Sequence, residues 1–469
     1  MADNSREIIL DTLLELERGQ QFSNRLVKAV LDKYDYLDTR DKAFIKRVTE
    51  GTVERKQELD YYLNAFSSVP VHKMKPLIRC LLRMSVYQLL YMESVPDSAV
   101  CNEACKLAVK RKFGNLKGFV NGVLRTVSRH KENLPLPDRT KEPVTFLAIR
   151  YSMPEWLVRF WLEEYGEEMT EQLLEGLLEV HPVSIRLRDS LPAPEKERLL
   201  EEMRALGVQL TQSRYLPNLY FMKNSDNVST LPGFAQGLWT IQDVSSALAV
   251  EAAGIRKGDF VIDACAAPGG KTVAAAQKAK QVLARDISEE KVALIQENLD
   301  RMEAGNVRVQ VWDANDHDAD CDGKADVLIL DVPCSGLGII GKKRDIKYKT
   351  SRDQLEELTI LQKNIIKACT SYVKPGGTLL YSTCTINRAE NEEMVRFLAE
   401  QLGFLPQSLE GRIPDRLLQE KNDTLERRMA AGKDCFLSER EQAACIQLLP
   451  GYMESDGFFF AVFRRPEEQ

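Results

Sequence analysis

Two cysteines in this chain stand where a sheet would present them to a ligand. Cys384 lies in YSTCT (381–385), and Cys334 lies in DVPCSGLG (331–338). Each follows a short apolar run that reads as a strand and gives way to small polar residues. A thiolate is an intrinsically strong nucleophile, and access and local charge decide whether a given cysteine reacts. Either one alone would pass for a small buried residue. If the two strands are neighbours, both sulfurs face one cleft.

Four acids belong to the same pattern. Asp263, Asp286, Asp313 and Asp331 each close one of four successive predicted strands. In a parallel α/β sheet ligands bind beyond the carboxyl ends of the strands. Between the first two strands runs DACAAPGGKT (263–272), where Gly269 and Gly270 permit a tight turn before a helix whose free N–H groups suit an anion. The turn is neither G-x-G-x-x-G nor a Walker loop. An acid after the second strand suits a ribose diol, and one after the third suits an adenine amino group. With a zwitterionic tail, that describes S-adenosylmethionine rather than a dinucleotide.

A methyl donor beside two thiols suggests one difficult reaction. Carbon 5 of cytosine is a poor nucleophile until a thiolate adds to carbon 6. The adduct must later lose the carbon-5 proton and expel the thiolate, which gives work to a second group. Asp331 is placed to protonate or hydrogen-bond the ring N3. Spacing alone does not say which cysteine attacks.

The elements that must hold these residues divide the chain of 469 residues into three expected domains. Residues 1–130 show apolar positions at helical spacing throughout, including one long run at 41–66, and predict an all-helical domain. A proline-rich, charged linker follows at 131–144. Residues 145–240 mix helical runs (156–166, 195–207) with strand-like ones (183–188, 218–223), a small α+β unit. From 241 to 469 strands alternate with helices, which predicts a mostly parallel, doubly wound sheet. Within it, KPGG (374–377) reads as the turn that leads into a strand at 378–385.

Composition narrows the function. No apolar run is long enough to span a membrane; the best, 77–92, carries Arg79 and Arg83 and reads as a buried helix. No signal peptide is evident, so a cytoplasmic protein is expected. Ten cysteines and four histidines form no C-x-x-C pair, so neither disulfides nor a metal site is expected. A net charge of −6 hides an asymmetry: residues 1–150 hold 26 basic against 19 acidic side chains, the remainder 38 against 51. A basic module on an acidic body points to a polyanion partner, with Lys106, Lys110, Arg111, Lys112 and Lys117 as its contacts.

DACAAPGGKT, DVPCSGLG and YSTCT resemble three motifs of the RNA cytosine-5 methyltransferases, and the likeness covers nearly the whole chain. YSMPEWLVRFW (151–161) and GLWTIQDVSSALAV (237–250) are similar to the middle region of the members that modify small-subunit ribosomal RNA. GFVNGVLR (118–125) is similar to the NusB antitermination fold, an RNA binder. The resemblance implies a Rossmann-like methyltransferase domain and Cys384 as nucleophile, with Cys334 assisting release. It implies that Cys265, Ala266, Ala267, Pro268, Gly269, Gly270 and Lys271 form the cofactor loop, with Asp286, Asp313 and Asp331 as further cofactor positions. The implied partner is 16S ribosomal RNA, and a monomer is expected. The stretch 338–350 departs from the pattern, with Gly341 and Tyr348 where Arg and Trp are usual. Three rivals stand beside this reading: action on another RNA such as tRNA, a small-molecule methyltransferase, and a non-enzymatic RNA-binding factor.

Overall fold

The computed structural model describes residues 4–19, 21–179, 182–225, 228–433 and 436–467. Contacts gather the chain into two compact units: Met1–Leu178 with Ile340–Lys349, and Glu179–Ile339 with Thr350–Gln469.

The first unit is helical. Its helices include Ser5–Glu17, Ser23–Lys33, Thr39–Glu54, Lys56–Phe66, Pro76–Tyr91, Asp97–Lys110 and Lys117–His130. Pro76–Tyr91 lies at the centre, with Ile78, Leu81, Leu82 and Val86 almost wholly buried. The arginines of this apolar helix are not left unpaired. Arg83 donates two hydrogen bonds to Asp60 (2.6 and 2.7 Å) and one to Glu17 (2.5 Å), and Arg79 also pairs with Glu17 (2.6 Å). Such fork-shaped pairing lets a guanidinium sit against a core. The run 41–66, expected as one helix, is two, because the chain leaves helical geometry at Arg55. The Ser152 hydroxyl accepts the N–H groups of Gln57 and Glu58 (3.1 and 3.3 Å), which lets a second helix start there.

Two further helices, Pro143–Arg150 and Glu155–Gly176, also fall in this unit, whereas the strands of 145–240 fall in the other. The insert Ile340–Lys349 completes the first unit. Arg344 pairs with Glu50 and Glu54 (both 2.9 Å), and Asp345 accepts the N–H and hydroxyl of Ser23 (3.0 and 2.7 Å). Tyr348, one of the two atypical residues here, has its hydroxyl 3.2 Å from both the Ser152 hydroxyl and the Glu54 carbonyl.

The second unit holds two sheets. The smaller is antiparallel, with strands β1 (Val183–Leu187), β2 (Gln209–Gln212), β3 (Leu219–Lys223) and β4 (Trp239–Ile241) in the order β2-β3-β1-β4. It is fastened to the larger sheet's helices by arginines: Arg301 donates to the Trp239 carbonyl (2.9 Å), and Arg188 to that of Met302 (2.9 Å).

The larger sheet contains β5 (Phe260–Asp263), β6 (Gln281–Asp286), β7 (Val307–Val311), β8 (Ala325–Asp331), β9 (Val373–Thr383), β10 (Leu405–Pro406), β11 (Cys445–Leu448) and β12 (Phe458–Arg464). Its order is β10-β12-β9-β8-β5-β6-β7, with β11 paired to β12. Strands β9, β8, β5, β6 and β7 run parallel, and β12 joins β9 antiparallel. This is the mostly parallel doubly wound sheet expected, with an antiparallel edge. KPGG is not the turn expected before a strand. It lies within β9, whose pairing with β8 jumps from Ala325↔Val373 to Val327↔Thr378. The extra residues form a bulge, and Gly376 takes a left-handed backbone there (φ +72°).

Candidate active site

β8 and β9 lie side by side in parallel register, with Asp331 opposite Ser382. The chain leaves both strands on the same side of the sheet, and this brings the two cysteines together. The Sγ atoms of Cys334 and Cys384 are 3.2 Å apart, and the Cys384 N–H points at the Cys334 sulfur (3.3 Å). Desolvation, the neighbouring Cys384 and the Glu390 charge all disfavour a Cys334 thiolate; the Cys384 hydrogen bond is the largest cause, and the thiol is pushed well above its ordinary range.

The turn that carries Cys334 is held by backbone contacts that tolerate no side chain. The Gly338 N–H donates to the Cys384 carbonyl (3.1 Å), and the Gly457 N–H donates to the Gly338 carbonyl (2.9 Å). A Cβ on Gly338 would come within 2.0 Å of the Gly457 carbonyl oxygen. Beneath the cysteines lies a fully buried carboxylate, Glu390, hydrogen-bonded to Ser335, Gln362 and Asn387. Sequence reading passed over it. The only trace is the polar run INRAEN directly after YSTCT, a cluster of hydrogen-bonding residues where an apolar helix start would be ordinary.

The acids take distinct roles. Asp331 is bound on both oxygens: Oδ2 accepts Lys271 Nζ and Oδ1 accepts the Ser382 hydroxyl, each at 2.7 Å. Lys271 also donates to the Ser246 hydroxyl (3.1 Å) and lies over the Phe458 ring. Asp286 Oδ2 accepts the N–H of Ala267 (2.9 Å), and its Oδ1 accepts that of Ile287 (2.8 Å) and pairs with Lys291 (2.9 Å). The loop of Cys265, Ala266, Pro268, Gly269 and Gly270 is thereby anchored to the end of β6. Within it the Ala267–Pro268 peptide is cis, and Gly269 has φ +101°. Asp313 lies two residues beyond β7 and accepts the backbone and side-chain N–H groups of Asn315 (both 2.9 Å).

Asp263 is fully buried. Its Oδ2 accepts the Thr272 hydroxyl (2.7 Å), but its Oδ1 meets no donor among the described residues. Burial raises its carboxyl to about 7. An orphaned buried acceptor is an unusual cost. S-adenosylmethionine presents an ammonium, a ribose diol and an adenine amine, all of them donors. The acceptor set of Asp263, Asp286 and Asp313 fits that chemistry.

The five basic residues expected to contact a polyanion cluster at the end of Asp97–Lys110 and the start of Lys117–His130. Three already have acidic partners: Lys106 with Glu103 (2.7 Å), Lys110 with Glu7 (2.5 Å), and Arg111 with both Glu7 (3.3 Å) and Asp11. Lys112 and Lys117 are exposed and have no acidic partner among the described residues.

Parallel strands with acids and a glycine turn at their carboxyl ends, beside a thiol pair, define a Rossmann-like methyltransferase, here with a helical domain ahead of it. Comparison with known proteins agrees. Residues 252–464 match the model of the 16S rRNA methyltransferase RsmB/F family, and residues 3–129 match the NusB family. The chain is 34% identical to the probable ribosomal RNA small subunit methyltransferase B of Bacillus subtilis (strain 168), over 98% of both chains. It is 32% identical to the ribosomal RNA small subunit methyltransferase B of Cronobacter sakazakii, over 95% of both. The crystal structure of PH0851 shares the fold over all of both chains, with TM-score 0.75 and 22% identity. NSun6 from Pyrococcus horikoshii, solved with SFG, aligns with 67% of this chain and 99% of its own (TM-score 0.53, 20% identity). The chain belongs to the RsmB/F family of 16S rRNA methyltransferases, and its cofactor is S-adenosylmethionine.

Proposed function

We propose that this chain methylates carbon 5 of a cytosine in 16S ribosomal RNA, in the cytoplasm, through a covalent adduct on Cys384. The observation that carries the reading is the 3.2 Å separation of the Cys334 and Cys384 sulfurs, at the ends of two adjacent parallel strands. A single nucleophile needs no second thiol in contact with it. A nucleophile that must later be expelled gains from one.

When bound, S-adenosylmethionine supplies an electrophilic methyl group. The loop 265–271 with Asp263, Asp286 and Asp313 would hold it. Cys384 sulfur, as thiolate, adds to carbon 6 of the cytosine, which makes carbon 5 enamine-like. Ring N3 takes a proton from water as charge develops there, and Asp331, held by Lys271 and Ser382, accepts the resulting N–H; positioned groups of this kind contribute about 10²–10⁴-fold. Once carbon 5 is substituted, it gives up its proton to a base, the electron pair re-forms the ring double bond, and Cys384 leaves as thiolate. Cys334 assists that departure. The target base must be unstacked to reach such a cleft. Lys112 and Lys117, both exposed, would hold RNA phosphate, and the likeness of residues 3–129 to the NusB family supports RNA binding by that domain.

The test uses three variants with a 16S RNA fragment and cofactor. Cys334→Ala is expected to leave protein covalently joined to RNA, seen as a slow band on a denaturing gel. Cys384→Ser and the double variant are expected to give no band. The opposite pattern would exchange the two roles. Activity retained in Cys384→Ser would overturn covalent catalysis. Loss of one 5-methylcytosine from the 16S RNA of a deletion strain, by mass mapping, tests the substrate; loss from tRNA instead would redirect it.

A further inference from the structure

Glu390 stands in a short turn after β9 and is completely buried, yet the chemistry above has no use for it. Buried carboxylates are costly unless every oxygen is satisfied. This one is richly satisfied, and its partners come from several elements. Ser335, next to Cys334, donates its N–H to Oε2 (2.9 Å) and its hydroxyl to Oε1 (2.5 Å). Asn387, three residues beyond Cys384, donates its amide to Oε1 (2.9 Å). Gln362, from the helix Arg352–Cys369, donates to Oε2 (2.9 Å) and to the carbonyl of Pro333 (2.9 Å). The Ser335 hydroxyl also lies 2.7 Å from that of Thr385, and Tyr381 donates to the Glu390 carbonyl (2.6 Å).

Each of the two turns that carry a cysteine is therefore tied to one carboxylate through a residue adjacent or close to that cysteine. All three amide donors face it with N–H groups, the pattern of an anion. A negative charge here acts on the Cys334 sulfur. The titratable groups that face Cys334 are Cys384, Glu390 and Tyr381, and the first two hold its thiol up. A Cys334 kept protonated does not compete with Cys384 for carbon 6.

We propose that Glu390 is a positioning residue: it clamps the Cys334 and Cys384 turns against each other and, by its charge, keeps Cys334 the protonated member of the pair. This rests on the roles given to the two cysteines above. It goes beyond them in assigning a residue that ties the two turns together and adds to what holds the Cys334 thiol up.

The test reads Cys334 itself, without RNA or cofactor. In a Cys384→Ser background, alkylation of Cys334 by iodoacetamide is followed by peptide mass spectrometry from about pH 6 to about pH 10. Adding Glu390→Gln is expected to lower the midpoint by about one pH unit or more, the usual effect of removing a nearby like charge. Glu390→Asp, which keeps the charge, is expected to hold the midpoint near its starting value. An unmoved midpoint in a folded Glu390→Gln chain would overturn the proposal, as would an equal shift in both variants. If Glu390→Gln does not fold, Ser335→Ala serves instead. It frees one tie but leaves the charge, so the midpoint should stay raised while Cys334 alkylates several-fold faster; an unchanged rate would overturn the clamp. A moved midpoint with no RNA-linked band in any cysteine variant would sink the adduct and leave Glu390 its role. A band with an unmoved midpoint would do the reverse.

Discussion

Lys271 Nζ lies 2.7 Å from Asp331 Oδ2 and 5.0 Å from the centre of the Phe458 ring, so the last residue of the glycine loop touches the acid that ends β8. The ammonium is nearly buried and the carboxylate partly so. Removing either partner strands the other in a poorly hydrated place. Lys271→Met and Asp331→Asn should each lower stability, but the double variant should cost less than their sum. A double-mutant cycle by urea unfolding is expected to give a coupling of about 1–3 kcal/mol. Additive losses would mean that the pair is solvated and contributes nothing to the site.

Asp286 anchors the loop 265–271 from the end of β6. Asp286→Ala removes the acceptor for Ala267 N–H as well as the expected ribose contact. Calorimetry should show S-adenosylmethionine binding weakened by about 1–3 kcal/mol, the range for leaving buried partners unmatched. Asp286→Asn, which can still accept one N–H, should lose less. Unchanged affinity in the Ala variant would place the ribose elsewhere.

These sites differ in how far the sequence exposed them. Asp286, Asp331, Cys334 and Cys384 were legible because each ends a short apolar run, and the alternation of strands with helices puts such ends on one side of a sheet. Their adjacency follows because the same alternation makes β8 and β9 neighbours. Glu390 was barely legible: its one local trace is the polar run INRAEN, and in sequence it looks like Glu392 and Glu393 beside it in ENEEM; only the folded chain shows it completely buried. The place of KPGG was not legible, because a proline and two glycines signal a turn wherever they stand, and a bulge inside a strand satisfies the same backbone needs. Lys106, Lys110 and Arg111 read as free charge because their partners Glu7 and Asp11 lie far away in sequence, and Glu103 sits one helical turn back.

That pairing sharpens what charge reversal should do. Lys112→Glu and Lys117→Glu should each flatten the salt dependence of RNA binding by about one unit of log–log slope. Lys106→Glu should do less, since Glu103 already neutralises that site. Filter binding over a range of salt concentrations decides this. Equal slopes for all variants would remove this surface from the RNA interface, and S-adenosylmethionine affinity should be unaffected throughout.

Asp263 predicts a pH dependence. Its carboxyl is raised to about 7 in the fold against an ordinary 3.8, so between those values the folded chain holds a proton that the unfolded chain has released. Stability from this group is therefore present at acid pH and is lost as pH rises toward 7. Relative to Asp263→Asn, which cannot titrate, the native chain should lose on the order of 2 kcal/mol between about pH 5 and about pH 8. Parallel unfolding curves for the two proteins across that interval would show that the carboxylate has found a donor.

The contact between Gly338 and Gly457 sets a timetable for the newborn chain. The turn that presents Cys334 leans on backbone that the ribosome makes far later, just before β12 enters the sheet beside β9. While translation is still short of that point, both thiols and the Glu390 that ties their turns have been made, but the Cys334 turn has no Gly457 to rest on and β9 has no β12 beside it. A polypeptide cut short ahead of Gly457 would carry every residue named in the chemistry, Glu390 included, and still lack the backbone that braces the Cys334 turn from its far side, so such products should be inert.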